Sequence, residues 1–395
     1  MSNTILDKLD AAAEARKAML PTGLHAFGMP VDEIISATEA RVGDRRILFF
    51  GTNNYLGLTF DPRCLKAAHD ALDHEGTGTT GSRMANGNYN GHRALEQEFA
   101  AFYGVKSAMV FSTGYQANLG VISGLVGPNN VLLIDADSHA SIYDGCTLSG
   151  ADIVRFKHND PDHLAKRLER LGDRTTSTLI IVEGIYSMMG DQAPLAEIVE
   201  LKNKYNCLLL VDEAHSLGVL GEKGRGLVES AGLLDQVDFV TGTFSKSLGS
   251  IGGFCVSDHP QLEQLRYVSR PYIFTASSSP TTIASTRVAL RLLEEGVDLR
   301  KNLWRNIDQF YTCLQGLGYK LGPDPGPVVA AILDTPDQAL MFWKNLLDEG
   351  IYVNLILPPA APDNKALVRC SVSAAHTKAH MDQLCEAFTR LSKAL

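Results

Sequence analysis

No stretch of about 18 uncharged apolar residues occurs in this sequence, so no transmembrane helix is expected. There is no basic block either. Lys and Arg number 36 against 45 Asp and Glu, a formal charge of −9. Such a chain suits nucleic acid poorly, since that binding rests on neutralising phosphates. None of the seven cysteines (Cys64, Cys146, Cys207, Cys255, Cys313, Cys370, Cys385) forms a C-x-x-C pair. They read as small buried hydrophobes in a reducing compartment. With the histidines they show no ligand spacing, so no metal site is expected. The first twenty residues carry charges at helical spacing and lack the apolar run of a secretory signal. No internal repeat or low-complexity tract is visible. What is present is ordinary: 395 residues, 45% hydrophobic and 21% charged. That is a globular composition and length enough for a large domain plus a smaller one. The expectation is a cytoplasmic protein with at most peripheral membrane contact.

Apolar runs alternate with amphipathic stretches up to about residue 285. Strands are expected at Ser107–Phe111, Val131–Asp135, Asp152–Phe156, Thr178–Glu183, Cys207–Asp212, Asp238–Gly242 and Gly252–Val256. Several are continuously apolar, as in strands covered on both faces. The intervening segments, such as Pro194–Tyr205, have helical period and length. This pattern predicts an α/β fold with a mostly parallel sheet between helices. After Pro280 the pattern changes to long helices with a few strand-like runs, which suits a smaller α+β domain. The division expected is an N-terminal helix and arm over 1–45, a large domain over 46–285 and a small C-terminal domain over 286–395.

Asp212 closes the apolar run in CLLLVDEAH, which puts its carboxylate at the carboxyl edge of the sheet, where open α/β folds bind ligands. Lys246 follows in TGTFSKSLGSIGG, among Ser, Thr and Gly just past a strand. A lysine amine that can form an imine, paired with a carboxylate that keeps a pyridine nitrogen protonated, is what pyridoxal 5'-phosphate (PLP) requires. A capping Asp and an incidental Lys are the competing explanation. Ser112–Asn118 then place small hydroxyl residues and Gly114 at a helix start, where free N–H groups favour a phosphate. His139, in DADSHASIYDG, lies just past another strand, where it could stack on the ring; His215 could reach the ring's phenolic oxygen. Gly76–Gly81 fit G-x-G-x-x-G but follow the helix-like ALDHE instead of a strand, so the dinucleotide reading fails its context.

The ordered motifs NNYLGL, GSR, FSTGYQAN, DADSHAS, VEGIYSMMGD, VDEAHSLG and GTFSKS resemble the α-oxoamine synthases over almost the whole chain. The resemblance implies a fold-type I PLP-dependent transferase that condenses an amino acid with an acyl thioester and releases carbon dioxide. It implies that Lys246 carries PLP and removes the substrate α-proton, that Asp212 pairs with the ring nitrogen, and that His139 stacks on the ring. Gly114, Tyr115, Ser187, His215, Thr243 and Ser245 would contact the cofactor, and Arg369 would grip the amino-acid carboxylate. The family builds shared sites in a homodimer, so Thr275 is expected to reach the neighbouring subunit's phosphate, and Asn54 and Tyr55 to line the site from the partner. Ser245 before Lys246, with SRMANG and RPYIFTAS, is similar to the soluble bacterial branch that joins serine to a palmitoyl thioester and opens sphingolipid synthesis. The alternatives are the branch using alanine and a pimeloyl thioester, the glycine-using branches, and, in another class, a catalytically inactive PLP-fold binding module. One departure stands out: Leu357 occupies a position where many relatives carry a second arginine.

Overall fold

The computed structural model describes residues 4–19, 26–358, 360, 361 and 365–394. Residues 1–3 and 20–25 of the expected arm, and Pro359 beside Leu357, lie outside them.

Seven strands form the central sheet: β1 (Ser107–Phe111), β2 (Val131–Asp135), β3 (Asp152–Phe156), β4 (Thr178–Glu183), β5 (Leu208–Asp212), β6 (Phe239–Thr243) and β7 (Gly253–Ser257). Their spatial order is β1-β7-β6-β5-β4-β2-β3. All neighbours are parallel except β7, which is antiparallel to both β1 and β6. Alternation within the apolar runs explains the layering. Ile180 and Val182 of β4 join one core with Leu209 and Val211 of β5, while Leu179, Ile181 and Leu210 point into a second core on the other face. β1, β2, β4, β6 and β7 are buried along their whole length, whereas the edge strand β3 is largely exposed and carries Asp152 and Arg155. In the first core Phe254 stacks on Phe99 at 4.3 Å between ring centroids; truncating such a ring costs about 3–5 kcal/mol.

Because β1 runs with the parallel strands, Phe111, Asp135, Glu183, Asp212 and Thr243 all finish at one edge. Helix α1 (Gly114–Leu125) leaves β1 there, capped by Thr113, whose Oγ1 accepts from Gln116 N. Helix α2 (Ala140–Ser149) leaves β2 through His139, whose side chain accepts from Ser141 N. The last third of the chain holds helices Pro280–Glu295, Val297–Gly316, Pro336–Asp348 and Lys378–Leu391 around an antiparallel sheet of Lys320–Leu321, Val328–Leu333, Ala366–Ser371 and Asn354–Ile356. Among the described residues no helix is long and apolar enough to cross a membrane.

The segment before Phe50 differs from the irregular arm suggested by sequence. Glu33–Ile34, Glu39–Val42 and Arg45–Phe49 form strands, and the last pairs in parallel with Ile351–Tyr352. The first two pairings are local and antiparallel, but the strands are short and mixed in polarity, and the partner of Arg45–Phe49 some 300 residues away leaves no local pattern.

Candidate active site

A cavity of about 280 Å³ opens at the carboxyl edge of the sheet, and Gly114, His139, Glu183, Asp212, His215 and Lys246 are among its walls. Thr243, Ser245 and Tyr115 border it as well. Residues from five separate strand ends thus converge, as expected where parallel strands feed loops at one edge.

Asp212 is buried at the end of β5. Its Oδ1 accepts from Ala214 N at 2.9 Å and its Oδ2 from Asn118 Nδ2 at 2.7 Å. Two donors leave further lone pairs on the carboxylate for a ligand. Lys246 lies between β6 and β7, partly buried. Burial pulls its amine down to about 8, while Asp212 and Glu183 oppose that shift and Arg369 adds to it. An amine with that value exists partly as the neutral nucleophile near physiological pH.

At the other end of the cavity the N–H groups of Gly114 and Tyr115 begin α1, where the helix dipole favours an anion. The Thr243 hydroxyl lies 2.8 Å from Ser245 Oγ, so two hydroxyls stand beside that helix start. The approach is tight: a Cβ at Gly114 would lie 2.7 Å from Thr243 Cβ, so only glycine lets the helix start sit against β6. Tyr115 contributes its backbone here, since its own hydroxyl donates to Asp144.

His139 sits exposed on the rim. Its Nδ1 lies 2.8 Å from Ser141 Oγ and accepts from Ser141 N at 3.2 Å. Burial of the ring nitrogens lowers its pKa, with Lys246 adding and Asp212 opposing; the ring is neutral, with its proton on Nε2. His215 is held neutral more strongly by burial, helped by Lys246, Arg369 and His139, and its Nδ1 lies 2.7 Å from Tyr55 Oη.

Arg369 is buried on the strand Ala366–Ser371. Its Nε donates to Ser187 O at 2.7 Å, Nη1 to Ser371 Oγ and Nη2 to Asn53 Oδ1, both at 3.2 Å. Ser187 therefore meets the guanidinium through its backbone and does not line the cavity. Leu357 is buried in the apolar core, so no second cation stands at that position.

Three expected residues lie outside the cavity wall of their own chain. Tyr55 is fully buried, with its hydroxyl 2.7 Å from His215 Nδ1 of the same chain. Asn54 is also buried; its Nδ2 donates to Thr59 Oγ1 at 2.7 Å and its backbone O accepts from Ser373 Oγ at 2.6 Å. Chain 50–55 is tied to 371–374 by such bonds, and this turns the Asn54 side chain away from the cavity. Thr275 lies outside the cavity wall and accepts from Gln116 Nε2 at 3.2 Å.

The structure also adds residues that sequence reasoning passed over. Glu183 faces Asp212 across the β4–β5 pairing. Burial raises its carboxyl well above the usual range, with Asp212 reinforcing that rise; it accepts from His139 N at 2.5 Å. Asn118 and Ser141 link Asp212 to His139. Glu183 ends the run TLIIVE just as Asp212 ends LLLVD, and that parallel was the available signal.

A family model described as aminotransferase class I and II matches residues 45–388. A curated serine palmitoyltransferase from Caulobacter vibrioides is 53% identical over 391 residues, 99% of this chain and 97% of its own. A solved structure of SPT with PLP internal aldimine is 44% identical, with a TM-score of 0.96 and 98% of each chain covered. A curated 8-amino-7-oxononanoate synthase from Thermoanaerobacter pseudethanolicus is more distant, 36% identical over 387 residues, 98% of each chain. The likeness spans the sheet, the cavity edge and the C-terminal helices together, and the chain belongs to the aminotransferase class I and II family, within it to the α-oxoamine synthases, fold-type I PLP enzymes.

Proposed function

We propose that this chain condenses L-serine with palmitoyl-CoA, releasing coenzyme A and carbon dioxide and giving 3-ketodihydrosphingosine, with PLP carried on Lys246. The observation that carries the reading is one cavity bounded by a low-pKa lysine, a buried carboxylate and a glycine-opened helix start. These features fit PLP: Lys246 for its aldehyde, the Gly114 and Tyr115 N–H groups with Thr243 and Ser245 for its phosphate, and Asp212 for its ring nitrogen. When bound, PLP supplies an electron sink for charge developing at the amino-acid Cα.

The chain's own residues do the rest. Asp212, oriented by Ala214 N and Asn118 Nδ2, would pair with the ring nitrogen. His139 offers a flat neutral ring at the rim, and His215, neutral and held at Nδ1 by Tyr55, presents its ring to the cavity. Arg369, already oriented by Ser187, Asn53 and Ser371, uses its remaining N–H groups for the substrate carboxylate. The Lys246 amine would be the base that takes the Cα proton. With Leu357 apolar, a single guanidinium holds the carboxylate that later leaves as carbon dioxide.

In this reading residues 46–285 hold the cofactor, residues 286–395 bring Arg369, and residues 1–45 form the arm. Two copies would complete each site. Supporting this, Phe274, beside Thr275, is 72% exposed and Ile251 on the cavity rim is 63% exposed, while Gln116 Oε1 is buried without a partner. Seven unpaired cysteines, five of them buried, suit a reducing cytoplasmic setting.

The deciding experiment is a visible-absorbance titration of PLP-loaded protein with serine, alanine and glycine separately, then palmitoyl-CoA with coenzyme A release followed. A response to serine followed by release supports the proposal. A preference for alanine or glycine without response to palmitoyl-CoA moves the chain to another branch, and no PLP band at all leaves the inactive binding module.

A further inference from the structure

Asn118 is 3% exposed on the second turn of α1, and every polar atom of its amide is committed. Oδ1 accepts from Thr241 Oγ1 at 2.9 Å. Nδ2 gives one hydrogen to Asp212 Oδ2 at 2.7 Å and the other to Ser141 Oγ at 2.9 Å. The orientation of the amide is set by its neighbours: an ionised carboxylate only accepts, so the NH₂ must face Asp212, and the Thr241 hydroxyl then serves the oxygen. Having accepted from Asn118, the Ser141 hydroxyl keeps its own hydrogen for His139 Nδ1, 2.8 Å away.

We propose that Asn118 is a positioning residue that couples Asp212 to His139, holding the carboxylate in place for the cofactor nitrogen and, through the Ser141 hydroxyl, fixing the tilt of the His139 ring and reinforcing the donor that the Ser141 N–H already gives Nδ1. This rests on the PLP reading and goes beyond it, because the two groups expected on the edge and face of the cofactor ring become one unit joined by a single amide. Loss of the amide would leave Asp212 Oδ2 buried without a donor and free Ser141 to turn away from the ring. Other charged and titratable groups face this unit: Glu183 from β4, Lys246 from the loop after β6, His215 from the loop after β5 and Arg369 from the C-terminal sheet. Tyr115 approaches the His139 ring edge-on at 6.2 Å. None of them bonds Asn118 in place of Asp212 or Ser141.

Two variants separate the arms. Ser141→Ala cuts the arm to His139 and leaves the donor to Asp212; Asn118→Ala cuts both. The first readout needs no cofactor: nitrogen-15 histidine spectra of the PLP-free protein, with the His139 signal assigned by its absence in His139→Gln. Expected are an unprotonated Nδ1 in the wild type and a shifted Nδ1 signal in both variants, where the backbone N–H of residue 141 is left as its main donor. The second readout is the pH midpoint of the PLP absorbance band and the PLP dissociation constant. Expected for Asn118→Ala are a midpoint moved by about one unit or more and binding weaker by on the order of tenfold, as for loss of a group that orients a ligand-contacting side chain. Ser141→Ala should keep PLP binding within about twofold while still shifting the midpoint. If Ser141→Ala leaves the His139 Nδ1 signal unchanged, or Asn118→Ala lowers only thermal stability with the midpoint in place, the coupling is overturned. Failure of the PLP reading shows differently, as absence of the absorbance band in the wild type itself.

Discussion

Tyr55 Oη lies 2.7 Å from His215 Nδ1, inside one chain and away from solvent. Burial pushes the tyrosine pKa up to about 12, with Arg369 opposing, and holds the imidazole neutral. The phenol therefore keeps its proton, which it can donate to His215 Nδ1 or, at 3.3 Å, to Asn53 Oδ1.

Tyr55→Phe removes that donor without changing the ring's shape. A buried Nδ1 without a partner costs about 1–3 kcal/mol of stability. His215 is no longer held at Nδ1, so kcat/KM should fall on the order of tenfold or more. Denaturant melts and steady-state kinetics at one pH check both, and unchanged kinetics would remove the Tyr55–His215 contact from the site's function.

Lys246→Ala should abolish turnover and the PLP imine absorbance together. In the wild-type protein without PLP, capture of an aldehyde by Lys246 requires the neutral amine. With the pKa lowered to about 8, the rate should rise through pH 8 and level off above it. A rise centred near the ordinary lysine value of about 10.4 would contradict the buried setting.

Arg369→Ala should raise the KM for the amino acid on the order of tenfold to a hundredfold, as for loss of a charge-assisted bidentate contact, and change that for acyl-CoA far less. Equal losses for both substrates would show that Arg369 supports the loop at Ser187 and does not hold the carboxylate.

His158 bridges two carboxylates: Nδ1 lies 2.8 Å from Asp135 Oδ1 and Nε2 lies 2.6 Å from Asp191 Oδ2. Burial works against the charged ring, but bonds to Asp135 and Asp191 prevail and raise its pKa to about 10. The folded state thus binds this proton more tightly than the unfolded chain. Its contribution is complete below the unfolded value of about 6.5 and is lost as pH rises through 10. His158→Gln should cost about 2–3 kcal/mol at pH 6, less than a fully buried ion pair because the ring is 26% exposed. Wild type and variant should converge above pH 10; melts across that range test it.

Local pattern carries much of this protein. Runs such as LLIDA and LIIVEG announce their strands because a strand buried on both faces tolerates no polar residue, and observed ends differ from those expected by a residue or so at β5, β6 and β7. A polar residue ending such a run lies at the sheet edge, so Asp212, and Lys246 after β6, were legible as chemistry without any knowledge of their neighbours.

Partnership was not legible. Asn118 reads in sequence only as the close of a phosphate-favouring helix start, and Glu183 as the end of a strand. Only folding sets the amide against Asp212 from β5 and Thr241 from β6, and only folding buries Glu183 enough to hold its proton. Tyr55 meets His215 because residues 50–55 bond to 371–374, more than 300 positions away. By itself the sequence determined the strands, the edge and the reactive groups, since periodicity and strand-end polarity act over a few residues. The tertiary structure decided which donors meet which acceptors, and hence the protonation states, because burial and charge pairing depend on segments that meet only when the chain is folded.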